Sequence, residues 1–346
     1  MIELLKHLIS IPSVSRDEAA KADYLWKYFT EKGCITRRSG NNIWCEAKPY
    51  DSSKPVILLN SHIDTVKPVA SWTRDPYNVE EIDGRIYGIG SNDDLGGVVS
   101  LTHTFFELKD TEQPYNLILA LTAEEEVSGK GGIESILPLL PKIDLAIVGE
   151  PTSLQMAVAE KGLMVLDCVS AGKSGHAARN EGVNAIYEAL PDIEWFRDYR
   201  FPKKSEWLGD VKMQVTIVGA GTQHNVVPDK CAFTVDVRLT EQYSHEEVLG
   251  IIRDNVKCSV TPRSTRLKPS GISLDHPVVC RFKAMGGELF GSSTMSDQAL
   301  MPFPSVKLGP GDSSRSHTAD EYILRSEVEE AKRIYVKLLD KLRVES

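Results

Sequence analysis

The six cysteines of this chain, Cys34, Cys45, Cys168, Cys231, Cys258 and Cys280, stand singly, and no CxxC pair occurs. That excludes thiolate zinc sites and dithiol redox motifs and leaves small buried hydrophobes as the expected role. Positive charge is also scarce: 40 Lys and Arg against 49 Asp and Glu leave a formal net charge of −9. With no basic stripe interleaved with aromatics, nucleic acid is not an expected partner. Long apolar runs are missing too. Val56–Leu59 and Leu117–Leu121 are among the longest and are far too short to span a bilayer, so no membrane partner is expected. The opening MIELLKHLISIPSVS has no basic head, continuous apolar run or small-residue cleavage site. An export leader is therefore not expected, and a cytoplasmic protein is. There is no internal repeat and no low-complexity tract.

Length is ample. At 346 residues the chain exceeds what one core usually serves, and two domains are expected. Early in the chain, short apolar runs alternate with helical patterns. Strands are expected at Ile43–Ala47, Pro55–Asn60, Asn116–Thr122 and Asp144–Val148, and helices at Ile2–Ser10, Asp17–Glu31, Gly97–Leu108 and Gly132–Leu139. Such alternation implies an α/β fold, a mixed sheet sandwiched by helices. Beyond Pro151 the rhythm changes. Strand Leu163–Ser170, helix Val183–Trp195, strands Val211–Gly219 and Ala232–Leu239, helix His245–Asn255 and strand Val256–Val260 follow in turn. That βαββαβ order is the ferredoxin-like unit. The turn-rich, charged segment Thr261–Gly271 then reads as a linker. A helix at Val278–Met285, a strand at Ser305–Leu308 and a long helix from Ser326 towards Arg343 resume the first domain. The expected division is a discontinuous outer domain, 1–154 and 268–346, around an inserted domain, 155–267.

The ionisable residues fall where strands end. VILLN runs into His62 and Asp64, LILALTA into Glu124–Glu126, and DLAIVG into Glu150. Ligands of open α/β sheets bind at the carboxyl ends of strands. Asp93 and Asp94 lie in a glycine-rich loop before a helix, and His317 follows the glycine-rich loop after another strand. His62 and Asp64, two apart, face the same way on a strand end, so His62 can bind metal while Asp64 holds its imidazole from behind. His62, Asp93, Glu126, Glu150 and His317 make two imidazoles and three carboxylates. One ion rarely gathers five such groups; two ions sharing a carboxylate need about this set. Imidazole and carboxylate without thiolate suit zinc, and cobalt or manganese can substitute. Two ions roughly 3.5–4 Å apart would activate a water between them. Glu125, beside Glu126, is then the expected general base. Taken singly each residue has a plainer reading: His62 as an interior histidine, Asp94 as a helix cap, Glu124–Glu126 as a solvated turn. Gly96-Gly97 reads as allowing close approach of backbone near the metals.

The combination HID, GSNDDLGG, TAEEEVSG, VGEPT and SHTADE, in this order over nearly the whole chain, resembles the co-catalytic metallohydrolases. That family includes aminoacylase, acetylornithine deacetylase, succinyl-diaminopimelate desuccinylase and several carboxy- and dipeptidases. The resemblance implies one metal on His62, Asp93 and Glu150 and a second on Asp93, Glu126 and His317, with a cis peptide after the bridging Asp93. It implies that Asp64 orients His62 and that Glu125 is the base. The insert would be a lid and dimerisation domain of a homodimer. Its exposed strand edge suits pairing with a second copy. His176, in GKSGHA, would reach a partner's site and steady the oxyanion, and Asn225 and Arg238 would bind the substrate carboxylate. Ile89 and the Asp94-Leu95 pair depart from the common GRG and DMKGG patterns, and Met295-Ser296-Asp297-Gln298 departs from the desuccinylase TSDGRF pattern. The wording EEEVSGKGG and GPGDSSRSHTADEYI is similar to the acetylornithine deacetylase branch. The implied substrate is a small N-acyl amino acid, N-acetylornithine or N-acetylcitrulline in arginine biosynthesis, with a desuccinylase or a di- or tripeptidase on the same site as the other reading.

Overall fold

Four segments in the outer parts of the chain become strands buried along their whole length: Val56–His62, Asn116–Thr122 and Leu145–Val148, in which apolar residues predominate, and Ser305–Lys307. Strands covered on both faces read this way because neither side meets water. They belong to a computed structural model that describes residues 1–179 and 181–344. The chain divides into two compact units, Met1–Val158 with Gly271–Phe290 and Ser296–Ser346, and Ala159–Ser270 with Gly291–Met295. Residues 345 and 346 of the expected outer domain lie outside the described residues.

In the first unit, six neighbouring strands run in the order Thr36–Ser39, Asn42–Glu46, Asn116–Thr122, Val56–His62, Leu145–Val148 and Ser305–Lys307. The last four are mutually parallel and the first two antiparallel, so the sheet is mixed. The helix Gly96–Leu108 packs on Val56–His62 and Asn116–Thr122, and the final helix Arg325–Leu339 packs on that helix in turn. A cluster including Leu58, Ile118, Ala146, Ile133 and Ile136 fills core space against the sheet. Each of the leucine and isoleucine side chains contributes about 1.5–3 kcal/mol by leaving water.

Gly97 is where the helix must come close to the sheet edge. A Cβ there would fall 2.2 Å from Asp94 Oδ1 and 2.3 Å from the Gly149 carbonyl oxygen. One expected element differs. Gly132–Leu139 is a single helical turn, Ile133–Ile136, followed by a 3₁₀ turn, Leu137–Leu139. Pro138 has no N–H to extend the helical ladder.

The second unit contains the strands Gly162–Ala171, Lys212–Ala220, Lys230–Leu239 and Ser259–Pro262 and the helices Ala185–Asp198 and His245–Asn255. In order of appearance its strands lie fourth, first, third, second, all antiparallel. Burial along Gly162–Ala171 alternates residue by residue, as a sheet with one covered face requires. Its inward residues Met164, Leu166 and Cys168 join Phe196, Phe233, Val235 and Ile252 in one core. The edge strand Lys212–Ala220 leaves Ile217 61 % and Val218 56 % exposed. All six cysteines are free thiols. Among the described residues no helix is long and apolar enough to cross a membrane.

Candidate metal centre

Asn116–Thr122, Val56–His62, Leu145–Val148 and Ser305–Lys307 are adjacent and parallel, so their carboxyl ends share one edge of the sheet. Glu124–Glu126, His62, Glu150 and His317 leave the sheet from that edge in the same order. Parallel strands with helical crossovers create this convergence without any local sequence contact.

His62 ends its strand fully buried. Its Nδ1 lies 3.0 Å from the Asp64 main-chain carbonyl and 3.5 Å from Asp64 Oδ1. Nε2 faces Asp93 Oδ1 at 3.1 Å, Glu150 Oε1 at 3.7 Å and Glu125 Oε2 at 4.0 Å. The Asp64 carboxylate has further work. It accepts the N–H of Glu125 at 3.0 Å and of Glu126 at 3.2 Å, and the Ser15 hydroxyl at 2.7 Å. Asp64 thus ties the His62 strand to the turn that carries the paired glutamates.

That turn solves the problem of two adjacent side chains with different directions. Glu124 has φ +56°, Glu125–Val127 form one 3₁₀ turn, and Ser128 has φ +45°. Three residues per turn separate neighbouring side chains by about 120°, not the opposition of a strand. Glu126 Oε2 stands 2.8 Å from His317 Nε2, while Glu125 faces His62. Asp93 comes from the loop Ser91–Leu95 before the helix, and the Asp93–Asp94 peptide is cis. Its other oxygen, Oδ2, lies 3.7 Å from His317 Nε2. Two donor groups result, His62 with Asp93 and Glu150, and Asp93 with Glu126 and His317; within each, the ligand atoms lie within 4.8 Å of one another. Asp93 belongs to both, and Glu125 to neither.

The electrostatics call for positive charge. Burial, then repulsion from Glu150, raises Glu125 well above the ordinary glutamate range. Burial raises Glu150 likewise, against the pull of Lys307. Burial works against a charge on His62, yet Asp64 and Asp93 raise it well above its usual value. The hydrogen bond to Glu126 lifts His317 to about 9. Buried carboxylates that hold imidazoles protonated are a donor set suited to divalent cations, which would take the place of those protons. The residues fit a pair of divalent metal ions.

Five further ionisable residues stand around the donor groups without being expected ligands. Asp297 is buried, accepts the Thr122 hydroxyl at 2.7 Å, and is raised to about 6 chiefly by burial. Asp94 accepts from the Ser61 hydroxyl and is raised to about 7, again by burial first. Glu18 accepts the Glu124 N–H at 3.2 Å. Lys21, on the first turn of the helix Ala19–Glu31, is a fully buried ammonium that burial lowers to about 7 against the attraction of Asp64, Glu321 and Glu18. Glu321, also buried, is raised to about 8 by burial and by Asp93.

His176, Asn225 and Arg238 belong to the second unit. Gly175–His176 pairs with Val226–Val227, and the Ala177 N–H donates to the Asn225 carbonyl at 3.0 Å, so His176 and Asn225 are neighbours. His176 is exposed. Arg238 pairs with Leu163 on the central strands, whereas Lys230, near the His176 hairpin, pairs with Ala171. Eight residues of strand put the two ends about 27 Å apart. Arg238 and Lys230 therefore lie at opposite ends of that strand pair. The Arg238 guanidinium donates to both Asp236 oxygens, at 2.8 and 3.1 Å.

Residues 58–341 match the model of the peptidase family M20/M25/M40. The acetylornithine deacetylase of Shigella sonnei is 27% identical, over 93% of this chain and 92% of that one. Among solved structures, a tripeptidase from Staphylococcus aureus superposes with a TM-score of 0.79 at 20% identity, covering 98% of this chain and 96% of that one. The YXEP protein of Bacillus subtilis, described as a dinuclear metal binding peptidase, superposes with a TM-score of 0.76 at 16% identity, covering 98% and 96%.

Proposed function

The chain belongs to the peptidase family M20/M25/M40, and on that footing we propose that this two-metal amidohydrolase cleaves the amide bond of an N-acyl amino acid, N-acetylornithine or N-acetylcitrulline. The observation that carries the chemistry is the pair of donor groups sharing Asp93, with Glu125 beside them and outside both. The substrate reading is supported by the likeness to acetylornithine deacetylase along nearly the whole chain. Such a reaction would serve arginine biosynthesis in the cytoplasm.

His62, Asp93 and Glu150 would hold one divalent ion and Asp93, Glu126 and His317 the other, with zinc expected and cobalt or manganese as substitutes. Bound there, the ions would supply Lewis acidity, lowering the pKa of water and polarising the acyl carbonyl. Glu125 takes the proton of the attacking water as the oxygen–carbon bond forms. It returns that proton to the amine nitrogen as the carbon–nitrogen bond breaks, releasing the carboxylic acid and the free amino acid. Asp64 keeps Glu125 and Glu126 on their separate tasks by holding both backbone N–H groups.

A substrate panel tests the reading. The highest kcat/KM is expected for N-acetylornithine or N-acetylcitrulline over N-succinyl-diaminopimelate and di- and tripeptides. Faster cleavage of tripeptides would favour the peptidase alternative, which the likeness to the staphylococcal tripeptidase supports.

The second unit is proposed as the lid and dimerisation domain of a homodimer. The exposed Ile217 and Val218 on its edge strand, with Tyr187 69% exposed on its helix, support that reading. His176 would then steady the oxyanion in the partner's site, and Asn225 and Arg238 are the residues proposed to bind the substrate carboxylate. Mixing inactive His176→Ala and Glu125→Gln protomers is expected to restore about a quarter of wild-type activity, because random pairing makes half the dimers mixed and each has one complete site. No recovery on mixing would show that His176 does not act across the dimer.

A further inference from the structure

Glu321 follows His317 by four residues and is 3% exposed, yet it belongs to neither donor group. Its carboxylate spends its acceptor capacity on the backbone of another loop. Oε2 accepts the Gly90 N–H at 3.0 Å, and Oε1 accepts the N–H groups of Asn92 and Asp93, both at 2.9 Å. Its own carbonyl accepts the Gly88 N–H at 3.0 Å. The loop so held is the one that presents Asp93.

The grip is returned in the opposite direction. The Asn92 side chain donates to the Asp312 carbonyl at 3.1 Å and to the Ser316 hydroxyl at 3.2 Å, and accepts the Asp312 N–H at 2.9 Å. Each of the two loops therefore fastens the other, and one of them ends in Asp93 while the other contains His317. Three N–H groups converge on one buried carboxyl, so the Gly90–Asp93 backbone is fixed at three points by a single side chain.

We propose that Glu321 is a positioning residue that sets Asp93 in its bridging place before any ion arrives. This rests on the reading of Asp93 and His317 as ligands. An ion then meets a donor group already assembled, and the ordering of the Ser91–Leu95 loop is not deducted from its affinity. Because Asp93 is common to both donor groups, loosening it weakens both ions together.

Two measurements test this, with zinc ion as the probe. In chelator-stripped wild-type protein, amide hydrogen exchange at Gly90, Asn92 and Asp93 is expected to be slow and to change little when zinc is added. In stripped Glu321→Gln, whose amide nitrogen would face a backbone donor, exchange at these amides is expected to quicken. Its calorimetric zinc titration is expected to show both ions weakened by about 10–100-fold, as for other groups that support metal ligands. A role in stability alone would lower the melting temperature and leave zinc affinity unchanged, which would overturn the proposal. So would wild-type amides that exchange freely until zinc arrives; that measurement decides the matter if Glu321→Gln does not fold. Failure of wild-type protein to bind two zinc ions would instead count against the metal-site reading, with the exchange result standing by itself.

Discussion

Glu125→Gln is expected to keep two ions per chain and to lose about 10²–10⁴-fold in kcat, the usual worth of a positioned general base. The loss corresponds to roughly 3–5 kcal/mol of transition-state stabilisation. Glutamine has nearly the same shape, so the buried space and the Asp64 hydrogen bond to the residue 125 N–H are retained. What goes is a site for the proton. Because that site acts in the transition state, KM is expected to stay near its wild-type value while kcat falls. The neighbouring Glu126 provides the contrast. It lies 2.8 Å from His317 Nε2 and within the second donor group, so Glu126→Gln is expected to lower metal content first. Elemental analysis beside steady-state kinetics separates the two. If Glu125→Gln loses an ion and Glu126→Gln keeps both, their roles are exchanged.

Much of this centre is legible in the sequence because the chemistry sits at strand ends. Val56–His62 and Asn116–Thr122 are apolar runs that stop at a histidine and at a glutamate triplet, and parallel strands bring such endings to one edge. Asp93 is visible for another reason: a glycine-rich loop before a helix allows the backbone to approach closely, as at Gly97. Glu321 shows the limit. It stands inside SHTADE, a segment that reads as a histidine ligand and its surroundings, but its partners are N–H groups 228 to 231 residues away. No periodicity or spacing reports on such a partner. Asp64 is an intermediate case. Its spacing from His62 makes it a support for the imidazole, whereas its carboxylate also holds Glu125 and Glu126, which only the packing of two strand ends reveals. The ferredoxin-like order of the second unit was readable from alternating apolar residues, while which end of the central strand pair carries Arg238 depends on the direction of each strand.

Asp93→Ala is the substitution expected to do most damage to metal content, because it removes a ligand from both donor groups at once. Its Oδ1 is 3.1 Å from His62 Nε2 and its Oδ2 3.7 Å from His317 Nε2, so one side chain faces both imidazoles. Loss of both ions is expected by elemental analysis after dialysis, with activity lost alongside. His317→Ala provides the comparison: it strips only the second group, leaving His62, Asp93 and Glu150 to hold one ion. Stability gives an independent reading. A ligand present at 100 times its Kd stabilises the folded state by about 2.7 kcal/mol, so zinc is expected to raise the melting temperature of wild-type protein, and of His317→Ala by less. In Asp93→Ala the rise is expected to vanish, even though one carboxylate fewer eases the repulsion on Glu150, to which Asp93 contributes. Retention of one tightly bound ion in Asp93→Ala would mean that the two sites do not share this carboxylate.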